Sequence, residues 1–515
     1  MLFRSPVVRF FSRILNRVTI TVVLVALQLL WLCWVAFAIT TGTGRVWVNG
    51  LLNALSLLIV LYLVRKDENS AYKVGWIALI GILPLLGGAL YLAFGNKRPA
   101  KRLRLKMQAV EDAHKKDLVQ EPGVLEGLDA REQGQSRYVA KYGPYPAWQN
   151  TRTQYFACGE AMYPQLLADL EKAEKSIFLE FFIVSHGCMW NGIEKILRRK
   201  AAAGLDVRVI YDDAGCLSLL PHNYAELLRA EGIRAFSFNR CVPVLNLVLN
   251  NRDHRKIMVV DGRIAYTGGV NLADEYINKV TRFGHWKDSG VRLEGPAARS
   301  YANVFLTFWR AHFPDETLDY DKLLPQVAPV APTGGTLVQP FADSPVDREV
   351  VAKNVYLEFI NQARHSLRIC TPYLILDNDL LTCLSLAAKR GVDVRIYTPG
   401  VPDKKTIYQL SRSYFPHLLK AGVKIYSYTP GFLHAKTWLI DDRAAAVGTV
   451  NLDYRSLYLH FENSTVLYGG EVLSDIRRDL DGIESVSRRL GPDDCRNGFL
   501  GNMLSACLRL VAPLC

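Results

Sequence analysis

One eight-residue pattern occurs twice in the chain and constrains its fold more than any other feature. His254–Asp261 and His434–Asp441 both read His, any residue, Lys, four residues and Asp. Each copy has an apolar run before its Asp, and each is followed by a Gly and then an Asn at matching positions. Two such matches with matching flanks are far too improbable for chance, given how often Lys and Asp occur in ordinary sequences. The pattern therefore indicates two related units.

The repetition extends well beyond the two short patterns. Gly204–Tyr211 is echoed by Gly391–Tyr397, and Gly232–Phe236 is echoed by Gly422–Tyr426, at offsets of 187 and 190 residues. Within each repeat, helical patterns alternate with short β-branched strands. This alternation is typical of α/β units, and a period this long indicates two lobes and excludes a solenoid.

These observations predict a fold of the α/β class, with two related lobes that each contain a mixed sheet flanked by helices and that form one catalytic unit. We place the first lobe at residues 151–322 and the second at 346–515, with helices at its C-terminus. The Pro- and Gly-rich segment 323–345 is interpreted as the connector between them. The tail after residue 499 is expected to pack against the protein.

The first 95 residues are expected to form a membrane anchor. Uncharged apolar runs cover 18–40, 46–64 and 74–94, and each is long enough to span a bilayer as a helix. Glycines and Pro84 interrupt the third run, so it either spans or re-enters on the same side. The following segment, 96–150, is interpreted as a polar, basic linker.

The distribution of basic residues predicts the orientation of this anchor. Four arginines precede the first run, and Arg65, Lys66 and Lys73 follow the second. The positive-inside rule then places the N-terminus and the 65–73 loop in the cytoplasm. A re-entrant third run would keep the catalytic part cytoplasmic, whereas three full spans would place it outside.

Charge and cysteine content narrow the function. A formal net charge of +13 with 50% hydrophobic residues indicates a folded protein with an anionic partner, either nucleic acid or anionic lipid. The apolar N-terminus favours lipid and argues against nucleic acid. The ten cysteines include no C-x-x-C pair and are expected to be reduced thiols.

The repeated pattern offers a way to handle phosphate. Residues two apart on a strand share a face, so His254 lies beside Lys256 and His434 beside Lys436. A Lys holds anionic oxygens, while a neighbouring His attacks phosphorus or exchanges a proton. Two facing lobes would supply a nucleophile and an acid/base for double displacement, a scheme that requires neither a metal nor another cofactor.

Six further residues complete the predicted site. Asp261 and Asp441 end the two patterns and belong to the predicted catalytic sets, but their odd spacing from His and turn-like contexts favour a structural role. Asp288 and Glu462 are candidates for fixing the tautomers of the two histidines. Asn271 and Asn451 are candidate substrate-binding residues that donate to a phosphate oxygen.

The paired patterns resemble the phospholipase D superfamily. The resemblance to its bacterial cardiolipin synthases rests on Lys66–Asn69, Leu83–Gly88, Thr267–Tyr276 and Asn451–Ser456 as well. The sequence departs from the superfamily at Thr449, where a Ser is frequent, but the hydroxyl is kept.

The resemblance implies a multi-pass enzyme of the bacterial inner membrane. Such an enzyme transfers a phosphatidyl group between two phosphatidylglycerol molecules and releases glycerol. It also implies that His254 is the nucleophile, that His434 is the general acid/base, and that Asp288 and Glu462 are their acidic partners.

Three other functions fit parts of the sequence. A lipid hydrolase differs from the transferase only in that water, and not a lipid hydroxyl, attacks in the second step. A sequence motif does not distinguish the two, because the difference lies in the exclusion of water. A nuclease would use the positive charge but has no need of a membrane anchor. A membrane scaffold without catalysis is at odds with the intact residues in both copies of the pattern.

Overall fold

The two repeats fold into two lobes with the same strand order, as a computed structural model of the protein shows. The structure describes residues 45–66, 69–83, 87–88, 90–92, 95, 101–114, 118–240, 251–332, 334–345, 349–495 and 498–514, with isolated positions at 26, 30, 33, 34 and 37. The predicted span at 18–40 therefore lies almost entirely outside the described residues.

The first lobe is built on a mixed seven-stranded sheet of order β1-β8-β6-β5-β2-β3-β4. Its strands are β1 (Arg152–Phe156), β2 (Ser176–Phe181), β3 (Asp206–Asp212), β4 (Arg234–Phe238), β5 (Lys256–Val260), β6 (Ile264–Gly268) and β8 (Gly290–Glu294), while β7 (His285–Lys287) lies apart. Strands β2, β3 and β4 are parallel, and the remaining pairs are antiparallel.

The second lobe repeats this arrangement in an eight-stranded sheet of order β17-β12-β11-β10-β14-β15-β16-β9. Its strands are β9 (Leu337–Asp343), β10 (Ser366–Cys370), β11 (Asp393–Pro399), β12 (Lys424–Tyr428), β14 (Thr437–Ile440), β15 (Ala444–Gly448), β16 (Glu462–Tyr468) and β17 (Ser487–Arg489), and β13 (Gly431–Leu433) pairs with β7 of the first lobe. Read from β9 to β12, the second sheet has the same order of corresponding strands as the first sheet read from β1 to β4. The predicted fold class of two α/β lobes is confirmed.

Helices cover both sheets. In chain order they are α1 (Arg45–Arg65), α2 (Ser70–Ile82), α3 (Lys101–His114), α4 (Ala130–Tyr142), α5 (Gly159–Glu171), α6 (Cys188–Ala202), α7 (Asp213–Cys216), α8 (Tyr224–Ala230), α9 (Ala298–His312), α10 (Tyr320–Leu323), α11 (Val351–Gln362), α12 (Asn378–Lys389), α13 (Lys405–Ala421), α14 (Tyr454–Tyr458), α15 (Val472–Ser485) and α16 (Phe499–Val511). Among the described residues, no helix combines the length and apolar composition that a membrane crossing requires.

Helix α9 lies between the lobes. It is buried along most of its length, and its wide apolar face contacts strands of both sheets. Phe305 stacks on Phe178 of the first sheet at 4.7 Å between ring centroids, and Phe308 packs on Phe461 of the second lobe at 5.0 Å. A shared apolar core therefore fixes the two lobes against each other.

Two predicted segment boundaries need correction. The segment 96–150 is not a free linker, because α3 packs on α9 and α4 is anchored to the second lobe by Gln135, whose Nε2 donates to the Val355 carbonyl at 3.1 Å. The predicted connector 323–345 contains β9, an edge strand of the second sheet. Pro340 is compatible with that strand because an edge position leaves one side of the backbone unpaired.

The terminal helices attach to the second lobe. Helix α1 coincides with the second predicted span, and α2 ends at Ile82, where the third predicted span meets its Pro- and Gly-rich interruption. In the loop between α1 and α2, Asn69 Nδ2 donates to the Tyr458 hydroxyl at 2.9 Å. Helix α16 packs on α13 and α2, as expected for the tail.

Candidate active site

The two copies of the pattern meet where the lobes join. His254 lies two residues before β5, which begins with Lys256, and its backbone N–H donates to the Phe461 carbonyl at 2.9 Å. His434 lies three residues before β14, with Lys436 directly ahead of the strand, and its N–H donates to the Lys287 carbonyl at 2.7 Å. Each histidine is thus held by the backbone of the opposite lobe. The apolar runs of the two patterns, residues 257–260 and 438–440, lie in these strands.

The predicted acidic partners are exchanged between the lobes. His254 Nδ1 lies 2.8 Å from Glu462 Oε1, and His434 Nδ1 lies 2.7 Å from Asp288 Oδ2. Both carboxylates are fully buried and aligned for hydrogen bonding. A carboxylate at Nδ1 selects the tautomer with its hydrogen there, which leaves the Nε2 lone pair available for chemistry. The sequence predicted the four residues but not this exchange.

The two lysines lie beside their histidines, as the strand spacing predicts. Lys256 Nζ donates to the His254 carbonyl at 2.6 Å, while Lys436 Nζ lies 2.9 Å from His434 Nε2. Burial lowers the pKa of Lys256 to about 7, although Glu462 opposes the shift. Burial likewise lowers the pKa of Lys436 to about 8, opposed by Asp288 and Glu462. The site therefore holds two buried amines whose charge an incoming anion would stabilise.

The same burial keeps both imidazoles neutral. The pKa of His434 falls to about 4 because of burial and the Lys436 charge, which outweigh the attraction of Asp288. The pKa of His254 also lies well below its ordinary value, through burial and then through Lys256 and Lys436. Burial alone would raise the pKa of Asp288, but His434 and Lys436 lower it overall. Neutral His254 is suited to attack an electrophile.

Asp261 and Asp441 lie outside this site. Asp261 follows β5, a five-residue strand, so it is roughly 16 Å along the chain from the strand end that carries His254. Its carboxylate accepts hydrogen bonds from the N–H groups of residues 174, 175 and 176, and Asp441 does the same for residues 364, 365 and 366. Both residues have positive φ, 53° and 50°. They close a turn at the far end of the strand, and we remove them from the catalytic set.

The two predicted asparagines are buried near the site. Asn271 Oδ1 accepts from the Ile183 N–H at 3.0 Å, and its Nδ2 donates to the Tyr276 hydroxyl at 2.7 Å. Asn451 is also buried, and its side chain interacts with Asp453. Asn271 thus supports the ring of Tyr276, which lies 5.5 Å from the His434 ring. Donation from either asparagine to a phosphate oxygen stays a prediction.

The sequence did not reveal the aromatic walls of the site. Around His434 stand Tyr276, Trp286 and Phe432, with ring centroids 5.5 to 5.7 Å away, and around His254 stand Phe182 at 5.1 Å and His460 at 5.7 Å. Trp286 and His460 each stand two residues before the acid that serves the same histidine. Aligning the repeats on Asp288 and Glu462 would have identified this pair.

Each orienting carboxylate has its own support. The Thr449 hydroxyl donates a hydrogen bond to Glu462. Thr449 is the position at which the sequence departs from its superfamily, and the hydroxyl keeps this hydrogen bond. The first lobe has Gly269 at this position, and a Cβ on it would lie 2.0 Å from Asp288 Oδ1. Asp288 therefore reaches His434 only because residue 269 has no side chain.

A buried ionic network lies behind His254, and the corresponding positions described in the second lobe carry no charge. Arg255 Nη1 lies 3.2 Å from Glu180 Oε1, and Arg252 Nη1 lies 3.4 Å from Asp212 Oδ1. Burial, and then Glu180, raise the pKa of the adjacent Asp253 well above its usual value. Backbone pairing aligns these five positions with Cys370, Pro399, Phe432, Leu433 and Ala435 of the second lobe. The repeats thus differ in charge where they adjoin their histidines.

Comparison with known families agrees with this geometry. Residues 166–309 and 356–483 match a family model described as cardiolipin synthase, phospholipase D-like domain. Residues 52–96 match a model described as phospholipase D-nuclease N-terminal. The two matches of the first model cover one lobe each.

Related proteins align over nearly the whole chain. A cardiolipin synthase of Alkalihalophilus pseudofirmus is 34% identical over 94% of this chain and 97% of its own. One of Geobacillus thermodenitrificans is 35% identical over 97% of this chain and 99% of its own. An uncharacterised protein of Streptococcus mutans is 40% identical over 88% of this chain and 99% of its own.

A solved structure shares the fold. The phosphatidylserine synthase of Haemophilus influenzae superposes with a TM-score of 0.55 at 16% sequence identity, covering 70% of this chain and 93% of its own. At this identity the similarity concerns the fold alone. By its two family matches and its relatives, the chain belongs to the phospholipase D-like cardiolipin synthases.

Proposed function

We propose that this enzyme makes cardiolipin by transferring a phosphatidyl group from one phosphatidylglycerol to another, with release of glycerol. Its family makes it a phosphatidyltransferase that acts on phospholipids. The observation that carries the finer proposal is the crossed pair of His–carboxylate contacts, His254 with Glu462 and His434 with Asp288, between two buried lysines. This arrangement presents two imidazoles and two cations to one phosphodiester.

In the first step, Lys256 and Lys436 hold the non-bridging oxygens of the donor phosphodiester. The His254 Nε2 lone pair attacks phosphorus, and the bond from phosphorus to the headgroup glycerol oxygen breaks. His434 gives its proton to the departing oxygen, so glycerol leaves as a neutral alcohol. Because His434 is neutral without substrate, it takes up that proton as the phosphodiester anion enters and offsets the lysine charges.

In the second step, the phosphatidyl group is carried on His254 and a second phosphatidylglycerol enters. His434, now neutral, removes the proton from the terminal glycerol hydroxyl of this lipid as that oxygen attacks phosphorus. The bond from phosphorus to nitrogen breaks and His254 returns to its neutral form. Glu462 stabilises the cationic form of His254, and Asp288 stabilises the protonated form of His434. These four residues and the two lysines complete the cycle.

The anchor and its orientation belong to the same proposal. We place the enzyme in the bacterial inner membrane as a multi-pass protein, with an anionic phospholipid as its partner and no nucleic acid. Apolar side chains such as Leu51, Leu58 and Leu61 of α1 are more than half exposed, which favours lipid around this helix. The predicted cytoplasmic loop contacts the second lobe through Asn69 and Tyr458, which favours catalytic lobes on the cytoplasmic side.

The orientation is tested by reporter fusions placed after Asn96. Activity of a cytoplasmic reporter supports the proposed side, and activity of a periplasmic reporter contradicts it.

The reaction is tested by incubating purified membranes with phosphatidylglycerol labelled in its acyl chains and, separately, in its headgroup. We expect labelled cardiolipin and one equivalent of labelled glycerol for each cardiolipin formed. Phosphatidic acid as the sole lipid product would show a hydrolase, and the absence of turnover would support a scaffold.

A further inference from the structure

His460 is buried beside the reacting histidine and has no assigned role. Its side chain is 9% exposed, and its ring centroid lies 5.7 Å from that of His254. Within the described part of the chain, neither of its ring nitrogens has a hydrogen-bond partner. Its Nδ1 lies 3.8 Å from Glu462 Oε1, which exceeds hydrogen-bond distance. A buried imidazole usually has a partner, so this one is available for a ligand.

The neighbours of His460 provide the rest of a ligand set. His254, His460 and Glu462 each offer one ligand atom, and these atoms all lie within 4.8 Å of one another. Two imidazoles and one carboxylate form a donor set typical of zinc sites that keep a fourth position open. Imidazole nitrogen selects borderline cations such as Zn²⁺ over Mg²⁺ and Ca²⁺, which prefer oxygen.

The side chains need only a small adjustment to close on an ion. Ligand atoms of a tetrahedral zinc are about 3.4 Å apart when each bond is about 2.1 Å. The widest separation must therefore contract by at most roughly 1.4 Å, a movement within the range of side-chain rotation.

Among the residues that the structure describes, such a cluster is found beside His254 and not beside His434. The position that corresponds to His460 in the first lobe is Trp286, whose indole cannot ligate a metal through its N–H. His434 therefore lacks the third ligand that His254 has.

We propose that His254, His460 and Glu462 form an inhibitory site for Zn²⁺ or a similar divalent transition-metal ion. An ion on His254 Nε2 occupies the lone pair that attacks phosphorus. An ion on Nδ1 instead displaces the hydrogen bond to Glu462 that selects the reactive tautomer. Either mode stops transfer, and the inference of inhibition rests on the proposed role of His254, whereas metal binding does not.

Binding is measured first, independently of activity. The full chain in detergent is titrated with zinc chloride in competition with a chromophoric chelator. We expect one tight equivalent in the wild type, with binding weakened by roughly 10-fold or more in His460→Ala and in His460→Trp, which imports the residue of the first lobe. His365→Ala removes an exposed histidine and serves as the matched control. Equal binding by the wild type and both His460 variants, or no tight equivalent in the wild type, overturns the proposal.

Inhibition is measured second, as the zinc concentration that halves each variant's own uninhibited rate of cardiolipin formation. In His460→Ala we expect this concentration to rise by at least the same factor as the dissociation constant for zinc. In His365→Ala we expect no change. If zinc binding depends on His460 but zinc inhibits His460→Ala and His365→Ala equally, the inhibitory role is overturned. If the wild type makes no cardiolipin, the proposed function fails, while the titration still decides whether the metal site exists.

Discussion

Glu462 of the second lobe lies against His254 of the first, with Oε1 2.8 Å from Nδ1, and Asp288 of the first lobe faces His434 of the second at 2.7 Å. Each lobe thus carries one complete pattern. The orienting carboxylate that it carries serves the histidine of the other lobe. Neither repeat alone contains a histidine with its carboxylate. The duplication of the pattern therefore yields one composite site in place of two independent ones.

Replacing an orienting carboxylate is expected to slow transfer severely. Glu462→Gln keeps the size of the side chain, but its amide can stabilise the wrong tautomer of His254, so we expect turnover to fall by about 10³-fold to 10⁴-fold. Asp288→Asn should act on His434 to a similar extent. The exposed Asp475→Asn is the matched control in steady-state assays with labelled phosphatidylglycerol. A loss of less than tenfold in both site variants would contradict the positioning role.

The two histidines are expected to differ with an activated donor. Phosphatidyl-p-nitrophenol has a leaving group that needs no acid, so His434→Ala should still form the phosphatidyl-histidine and release one equivalent of p-nitrophenol in a burst. His254→Ala should show no burst and no covalent adduct by intact-protein mass spectrometry. An adduct in His254→Ala, or a burst from that variant alone, would reverse the assigned roles.

Asp261 and Asp441 are expected to affect stability and not chemistry. Asn tolerates the positive φ at both positions, so Asp261→Asn and Asp441→Asn weaken the hydrogen bonds to three N–H groups without backbone strain. We expect each change to cost roughly 1–3 kcal/mol and to lower the thermal midpoint by a few degrees, while turnover below the transition stays within about threefold of wild type. Differential scanning fluorimetry and the transfer assay separate the two effects. A large loss of turnover at an unchanged midpoint would restore these residues to the reaction.

Much of this architecture was predictable because it is local. The spacing from His254 to Lys256 and the apolar residues after it determine a buried strand, and the turn context of Asp261 predicts its place at the strand end. Repetition at a long period then predicts two lobes of one topology. Hydrophobic periodicity carries this information along the chain, so no tertiary contact is needed to read it.

The exchange of carboxylates was not predictable in the same way. Asp288 follows His254 in sequence at nearly the separation that Glu462 follows His434, so spacing favours pairs within a lobe as much as pairs between lobes. The way the two sheets pack around α9 determines which carboxylate reaches which histidine. That packing depends on contacts between side chains distant in sequence. The same holds for α3 and α4, whose polar composition indicated a linker although their few apolar and amide side chains pack on the lobes.

The ionic network behind His254 is expected to respond to replacement as a unit. Arg255→Ala leaves Glu180 and Asp253 buried without their cation, which we expect to cost about 3–5 kcal/mol. Adding Glu180→Cys and Asp253→Leu imports the residues of the second lobe and should recover at least half of that loss. Chemical denaturation of the three forms checks this, with the exposed Arg263→Ala as control. Additive losses in the triple variant would show that the charges act independently.

The rate of transfer is expected to fall as pH rises through about 7 to 8, because the charges of the two lysines are lost there. Lys256 has a pKa lowered to about 7 and Lys436 a pKa lowered to about 8, and each amine is cationic below its pKa and neutral above it. The cationic forms hold the phosphodiester, so kcat/KM, which reports the free enzyme, should be highest below this range and decline above it.

Lys436→Arg tests the upper part of this decline. A guanidinium stays charged throughout, so the variant should keep a larger fraction of its own maximal kcat/KM at about pH 9 than the wild type does. The profiles are measured between about pH 6 and pH 9.5 with a chelator present, and Lys424→Arg, at the partly exposed first residue of β12, serves as the control. Identical profiles for wild type and Lys436→Arg would mean that the charge on Lys436 does not limit substrate capture in this range.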